Sequence, residues 1–528
     1  MNTSSVVDVP RQHTQNDLFG IQKYQDALVK YIRIANTPMT IALQGEWGSG
    51  KTSLMNMLRY NLCDIDDAPF YPVWINTWQY SLMKTPADAI ISILDGIIGQ
   101  IGELNPNNNK WEESKKKIGG IFKKMAVAGT KAAANMVGIG ADVVGELVET
   151  ENKSSMSDIM QLKKEILRLI NDALDVDANK RGFIFYIDDL DRIDPPVAVE
   201  ILELLKNIFD LEKCVFVLAI DYDVVIKGLK PKFGELTDTN EREFRSFFDK
   251  IIQLPFSMPV ASYNVDTFLV DALSTIEFFT EDELKDPSVT EVISEITRMS
   301  VGTNPRSLKR LTNTLALISI INENDRESSS IERLNKILNY AMVCMQIAYP
   351  YIYNQLTETP DFKSWNEKIA SKLKLRQLTD AESEALNSTY EFDEEWEKLV
   401  FRMCQKETYL SNRVFSVSTL LNKIAELIND DQNLGDIIAS ILELSAVTNL
   451  KAFDGPVKLP KERKRAVVGD YTIIINDDNS VAVHKNGNIC ANSKAALREV
   501  ASLIGIEVED KWTTRQLGSK VVKAINMK

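Results

Sequence analysis

Nine residues near the start of the chain carry its clearest chemistry. GEWGSGKTS, residues 45–53, follows a short apolar run, MTIAL, and precedes LMNMLRYNL, whose apolar residues recur at helical spacing. Strand, glycine-rich loop, Lys-Thr and helix are the context of a phosphate-binding loop. Gly45, Gly48 and Gly50 let successive backbone N–H groups turn into one concavity, and the following helix adds the partial positive charge of its N-terminus. In that frame Lys51 reaches the β- and γ-phosphates of a nucleoside triphosphate and Thr52 ligates Mg²⁺. Ser49 and Ser53 complete the expected nucleotide-holding set.

A second acidic site lies downstream. FIFYI, residues 183–187, is apolar throughout, as a central strand covered on both faces should be. It ends in DDLDR, residues 188–192. Asp188, at the C-terminal end of that strand, is the candidate Mg²⁺ ligand, and Asp189 the group that orients the attacking water. Asp191 and Arg192 either pair with one another or join the site. A helix, VAVEILELLKNIF, follows the Pro195-Pro196 pair.

The composition leaves few other chemistries. Two histidines, His13 and His484, leave almost no raw material for a Ser–His or Cys–His catalytic pair, and five scattered cysteines form no CxxC metal or redox motif. Unpaired thiols of this kind point to a reducing cytoplasm. Lys and Arg number 61 against 75 Asp and Glu, a net charge of −14, which argues against sequence-independent nucleic-acid binding over the whole surface. The apolar fraction of 44% and charged fraction of 26% are those of an ordinary globular protein. The N-terminus lacks a basic start and an apolar core, so it does not read as a signal peptide. The longest uncharged stretch, residues 337–357, contains Asn339, Gln346, Pro350 and Asn354, and reads as a buried helix ending near Pro350 rather than a membrane span.

Five segments in order resemble the KAP P-loop NTPases, a branch of the additional-strand NTPases related to AAA+ and STAND proteins. They are GEWGSGKTS (45–53), VWINTWQY (73–80), YIDDLDRI (186–193), FDKIIQLPFSMP (248–259) and TNPRSLKRLTN (303–313), with DLFGIQKYQDALVKYI (17–32) ahead of them. The likeness covers about residues 15–320. It implies an ATP- and Mg²⁺-dependent enzyme with Lys51, Asp188, Asp189 and Arg306 as its catalytic groups. Arg306 matches a family arginine at the lid, where a guanidinium neutralises phosphate charge. Asp221, ending the fourth strand, matches a polar residue that senses the γ-phosphate. Phe19, Ile21 and Tyr24 are the candidate adenine contacts, and Arg242 and Arg245 the candidate arginine fingers acting on a neighbouring subunit. Unlike relatives with transmembrane helices in the insert, this chain interrupts its Ala/Gly-rich stretch (125–148) with Lys131, Asp142 and Glu146.

Alternating strands and helices imply an α/β fold with a parallel-sheet P-loop NTPase core of the AAA+/STAND kind, carrying a helical insert and lid. The expected division is a disordered tail (1–16), the core (17–263, insert about 82–180), the lid (264–325), a helical domain (326–450), a basic linker (451–466) and a small α+β module (467–528). Strands are expected at 39–45, 71–77, 183–188, 214–220 and 250–255. The function so implied is Mg²⁺-dependent ATP hydrolysis driving a conformational switch within a multi-protein assembly. The resemblance extends to soluble bacterial members, including the ATPase of Qat-type antiviral defence systems, whose partners come from the same operon and include a nuclease. Self-association is expected and a membrane partner is not. A nucleic-acid translocase or loader, and an ATP-binding scaffold that does not hydrolyse, are the alternatives; the sequence leaves nucleic-acid contact open.

Overall fold

The computed structural model describes residues 5–80, 86–104, 108–127, 148–206, 210–322, 329–387, 392–429, 433–445, 462–476, 481–485, 488–490, 493–506, 508 and 514–525. The Ala/Gly-rich centre of the insert and most of the basic linker lie outside them. The chain divides into two compact units, one of Val9–Asn264 and one of Met1–Asp8 with Val265–Lys528.

In the first unit five strands, β1 (Met39–Gln44), β2 (Phe70–Asn76), β3 (Gly182–Asp188), β4 (Cys214–Ile220) and β5 (Leu254–Ser257), make one parallel sheet in the order β2-β3-β4-β1-β5. Every residue of β3 and β4 is buried, the consequence of uninterrupted apolar runs sandwiched between helices. β4 stands between the phosphate-loop strand β1 and the acidic strand β3, so the sheet has the additional strand that the resemblance implies. β5 begins four residues later than the sequence suggests. The Phe248 carbonyl accepts from the amides of both Ile251 and Ile252, which prolongs the turn ending helix Glu241–Asp249. Pairing with β1 therefore starts at Leu254↔Ile41. Pro255 is tolerated because β5 is an edge strand.

Helices Pro86–Glu103, Asn108–Val127 and Val148–Leu174 form the insert between β2 and β3. Ile93, Ile97, Ile101, Ile166 and Leu169 from these helices share one apolar core with Val73 and Phe183 of the sheet. Each such side chain contributes about 1.5–3 kcal/mol relative to exposure, so the described insert helices are part of the core and not an appendage.

Most of the second unit is helical from Val265 to Ser445. Helix Ser329–Ala348 buries Tyr340 to Met345 completely, and a new helix, Pro350–Glu358, opens on the proline. Pro350 lacks an N–H to continue the preceding helix, yet fits the first position of the next. Among the described residues no helix is long and apolar enough to cross a membrane.

The C-terminal end forms a separate antiparallel sheet, β6 (Glu462–Val468), β7 (Tyr471–Asn476), β8 (Val481–Lys485) and β9 (Asn488–Ile489), covered by helices Ser493–Ile504 and Thr514–Ile525. β6 occupies part of the stretch that reads as linker. Val468 pairs with Tyr471 across a two-residue turn in which Gly469 has a φ of 57°, and Ala466 is buried while Val467 is exposed. Basic residues mask that alternation in the sequence.

Of the stretch expected as a disordered tail (1–16), described residues between Val6 and His13 make ordered contacts. In the second unit Val6 exchanges two hydrogen bonds with the Asn313 amide, at 2.7 and 2.8 Å. In the first unit the Arg11 amide donates to Ser53 Oγ at 3.0 Å and His13 stacks on Tyr60 with ring centres 4.0 Å apart.

Candidate active site

Parallel pairing brings the C-terminal ends of four strands to one edge. Gln44 lies beside Ile220, Ile187 beside Leu218, and Asn76 beside Asp188. Residues distant in sequence thus meet where open α/β sheets bind ligands.

The 45–53 loop leaves β1 at this edge. Gly48 and Gly50 take φ values of 87° and 100°, conformations closed to most side chains. A Cβ on Gly45 would lie 2.6 Å from Ser49 Oγ and 3.1 Å from Met258 Cγ, so any larger residue would have to displace both side chains. Helix Lys51–Arg59 starts directly after Gly50. Tyr263, whose hydroxyl is pushed well above the usual tyrosine range by burial, donates to the Ser49 carbonyl at 2.8 Å and braces the loop. Ser49 Oγ is buried with no hydrogen-bond partner among the described residues.

Lys51 is only 7% exposed. Its ammonium donates to Gly45 O at 2.8 Å, Glu46 O at 3.2 Å and Asp191 Oδ2 at 2.9 Å. Asp188, 4% exposed, accepts a hydrogen bond from the Thr52 side chain, and its Oδ1 accepts from the Asp189 amide at 2.9 Å. Burial raises the Asp188 carboxyl above the usual range, and the neighbouring Asp189 adds to the rise against those two donated bonds. The pair of candidate Mg²⁺ ligands, Thr52 and Asp188, is therefore already in contact.

Asp189 sits in the left-handed region with φ 60° and ψ 26°, a conformation costing on the order of 1–3 kcal/mol for a residue with a side chain. Its two oxygens are held separately. Asn76 Nδ2 donates to Oδ2 at 2.8 Å, and Arg192 Nε approaches Oδ1 at 2.6 Å. Thr77 Oγ1 donates to the Asp188 carbonyl at 2.8 Å, so the last residue of β2 and the residue after it brace the two aspartates. The Arg192 guanidinium lies over the rings of Trp47 and Trp78, at 6.0 and 5.6 Å from their centres. Asp191 and Arg192 accordingly do not pair with one another: each takes an oppositely charged group of the site. Sequence reasoning assigned no part to Asn76, Thr77 or Tyr263. The first two stand at the end of an apolar strand and within VWINTWQY, one of the segments that carry the resemblance, but neither signal says which neighbour they face.

The other candidates are placed as follows. Asp221 caps helix Tyr222–Phe233, accepting from the Asp223 amide at 3.1 Å. Ile21 is buried; Phe19 and Tyr24 are half-buried, Phe19 against Tyr263 and Tyr24 edge-on to Phe256. Arg242 is exposed, and Arg245 pairs with Glu241 one helical turn away at 2.5 Å. Arg306 belongs to the second unit, where its Nε donates to Asp8 Oδ2 at 2.9 Å.

These residues fit a triphosphate with its metal. The left-handed glycines, the orphaned Ser49 hydroxyl and the recessed ammonium form a cradle for anionic oxygens. Among the described residues no three or more His, Cys, Asp or Glu side chains converge as an all-protein metal site. Mg²⁺ bound with a nucleotide needs only one or two protein ligands, which Thr52 and Asp188 can supply.

A family model described as the KAP family P-loop domain matches residues 21–322. The chain is also similar to the "Phage T7 exclusion protein" of Escherichia coli (strain K12), with 24% identity over 230 residues. That alignment covers 42% of this chain and 30% of the relative, so the chain matches under a third of that protein's length.

Proposed function

Because the chain belongs to the KAP family of P-loop NTPases, we propose that it binds ATP with Mg²⁺ and hydrolyses it to drive a conformational switch in a multi-protein assembly of antiviral defence. The observation that carries this reading is the meeting of Lys51, Thr52, Asp188 and Asp189 at one sheet edge, with Asn76 and Arg192 fixing the direction of Asp189. Thr52 and Asp188 would hold Mg²⁺, which supplies charge neutralisation on the transferring phosphoryl group. Lys51 binds phosphate oxygens, the loop amides from 45 to 53 orient them, and Asp189 orients the attacking water. Ser49 and Ser53 line the loop, and Phe19, Ile21 and Tyr24 take the base. Asp221 senses the γ-phosphate, and Arg306, with Arg242 or Arg245 of a neighbouring copy, supplies further positive charge.

The defence role draws on the printed name of the phage-exclusion relative and on the resemblance to Qat-type ATPases; partners from the same operon, a nuclease among them, belong to the same proposal. The cytoplasm is the compartment we propose, supported by cysteines that are all free. Two variants test the catalytic reading. Lys51→Ala should lose productive nucleotide binding, and unchanged ATP affinity would remove the loop from the mechanism. Asp189→Asn should bind ATP normally but turn over on the order of 10²-fold more slowly, as loss of a positioned base does. Normal turnover in that variant would favour a different catalytic group, and no turnover in the wild type with tight binding would favour the non-hydrolysing scaffold.

A further inference from the structure

The ammonium of Lys51 has three hydrogens, and each has an acceptor: the Gly45 carbonyl, the Glu46 carbonyl and Asp191 Oδ2. Of the three, Asp191 is the charged one. Its side chain is 5% exposed, against 7% for Lys51, so the pair is shielded from water and salt. The backbone delivers it there. Asp189 turns left-handed, Leu190 plugs into the apolar core at 1% exposure, and the short turn Leu190–Arg192 leaves Asp191 against the phosphate loop. A carboxylate oxygen 2.9 Å from this ammonium has the charge and hydrogen-bonding chemistry of a phosphate oxygen.

We propose that Asp191 is a built-in counter-ion of Lys51 that the phosphate of an incoming nucleotide displaces, which makes Asp191 a positioning residue that sets nucleotide affinity. The proposal rests on the reading of this cradle as a triphosphate site. Displacement is costly for two reasons. It breaks a shielded ion pair, and it leaves the Asp191 carboxylate beside Asp188 and Asp189 with no cation of its own. Affinity is therefore held below what the loop would otherwise give, and nucleotide exchange stays easy. Arg192, the next residue, keeps hold of Asp189 from the same turn, so one three-residue segment touches both the phosphate-binding cation and the water-orienting carboxylate.

The test is equilibrium titration of the full chain with MgADP and MgATP, in wild type, Asp191→Asn and Asp189→Asn. Asp191→Asn removes the competing charge while keeping the shape, and should tighten binding of both nucleotides by about tenfold, the scale of one charge-assisted hydrogen bond. Asp189→Asn removes a charge from the same cluster without touching Lys51, so its affinity should stay close to wild type. The gap between the two variants should persist at moderate salt, since the displaced pair is buried. Thermal melting gives a second readout: without nucleotide Asp191→Asn melts lower, and nucleotide raises its melting point by more than it raises that of the wild type. Asp191→Ala, with no acceptor at all, should move the same way and covers the case in which the asparagine variant fails to fold.

Wild-type binding with unchanged or weaker binding in folded Asp191→Asn or Asp191→Ala would overturn the counter-ion role and leave the nucleotide site standing. Equal tightening in Asp189→Asn would reduce the effect to general charge and overturn it as well. A folded wild type that binds neither nucleotide would remove both this proposal and the nucleotide reading beneath it.

Discussion

The most consequential residue outside the phosphate loop is Asp188, because its position imposes a stability cost that metal binding can offset. Its carboxyl is raised above the ordinary range chiefly by burial and next by Asp189. Above that raised value the folded protein holds a buried charge that the unfolded chain would leave in water. As pH falls through the raised value toward the ordinary one, the folded state takes up the proton first, so this group's contribution to stability becomes more favourable. Asp188→Asn should therefore melt higher than the metal-free wild type near neutral pH, with the gap closing as pH falls. Melting curves of both proteins in chelator across that range check it; a lower melting point for the variant near neutral pH would mean the donated bonds outweigh the burial. The same variant should lose Mg²⁺-dependent turnover. Lys51, Thr52 and Asp188 were legible as residue types at set spacings, since each sits beside a strand end that an apolar run announces. The bracing by Asn76, Thr77 and Tyr263 was not, because those are ordinary polar residues whose meaning lies wholly in what they face.

At the scale of elements, the helix after β4 separates two readings of one residue. Asp221 caps helix Tyr222–Phe233 through the Asp223 amide and is also proposed to sense the γ-phosphate. Asparagine caps nearly as well as aspartate, whereas alanine costs about 1 kcal/mol. Asp221→Asn should therefore keep the wild-type melting temperature, and Asp221→Ala should lower it. If turnover falls in both variants, the residue senses nucleotide as well as capping; if it follows stability alone, the cap is its whole role. Elements with uninterrupted apolar runs, β3 and β4, match their sequence expectation to within a residue. β5 and β6 do not. The start of β5 depends on how far the turn after helix Glu241–Asp249 continues, and β6 hides its alternation behind a basic stretch. A prolonged turn decided the first and pairing with β7 the second.

For the whole molecule the source of the further positive charge decides whether one chain completes its own site. Arg242 and Arg245 are exposed on one helix, while Arg306 lies in the second unit with Asp8 as its partner. ATPase rate per chain should climb with protein concentration, because the proposed fingers act on a neighbour. A flat, measurable rate would make the site self-contained and leave Arg306 as the leading cation. Activity that stays near zero while ATP binds would mean that a partner or trigger must first engage. The net charge of −14 predicts that nucleic acid changes this rate little at moderate salt; strongly salt-dependent binding would revive the translocase alternative. What was written in the linear order of residues is the class of the fold and the candidate phosphate-binding groups, because apolar periodicity and glycine placement act over a few residues and survive without a structure. Which charge faces which was settled only by tertiary structure. Asp191 is adjacent to Arg192 in sequence yet bonds to Lys51, 140 residues away, and Arg192 turns back to Asp189. Those pairings follow from a left-handed turn, a parallel register and a buried leucine acting together, and no single segment contains all three.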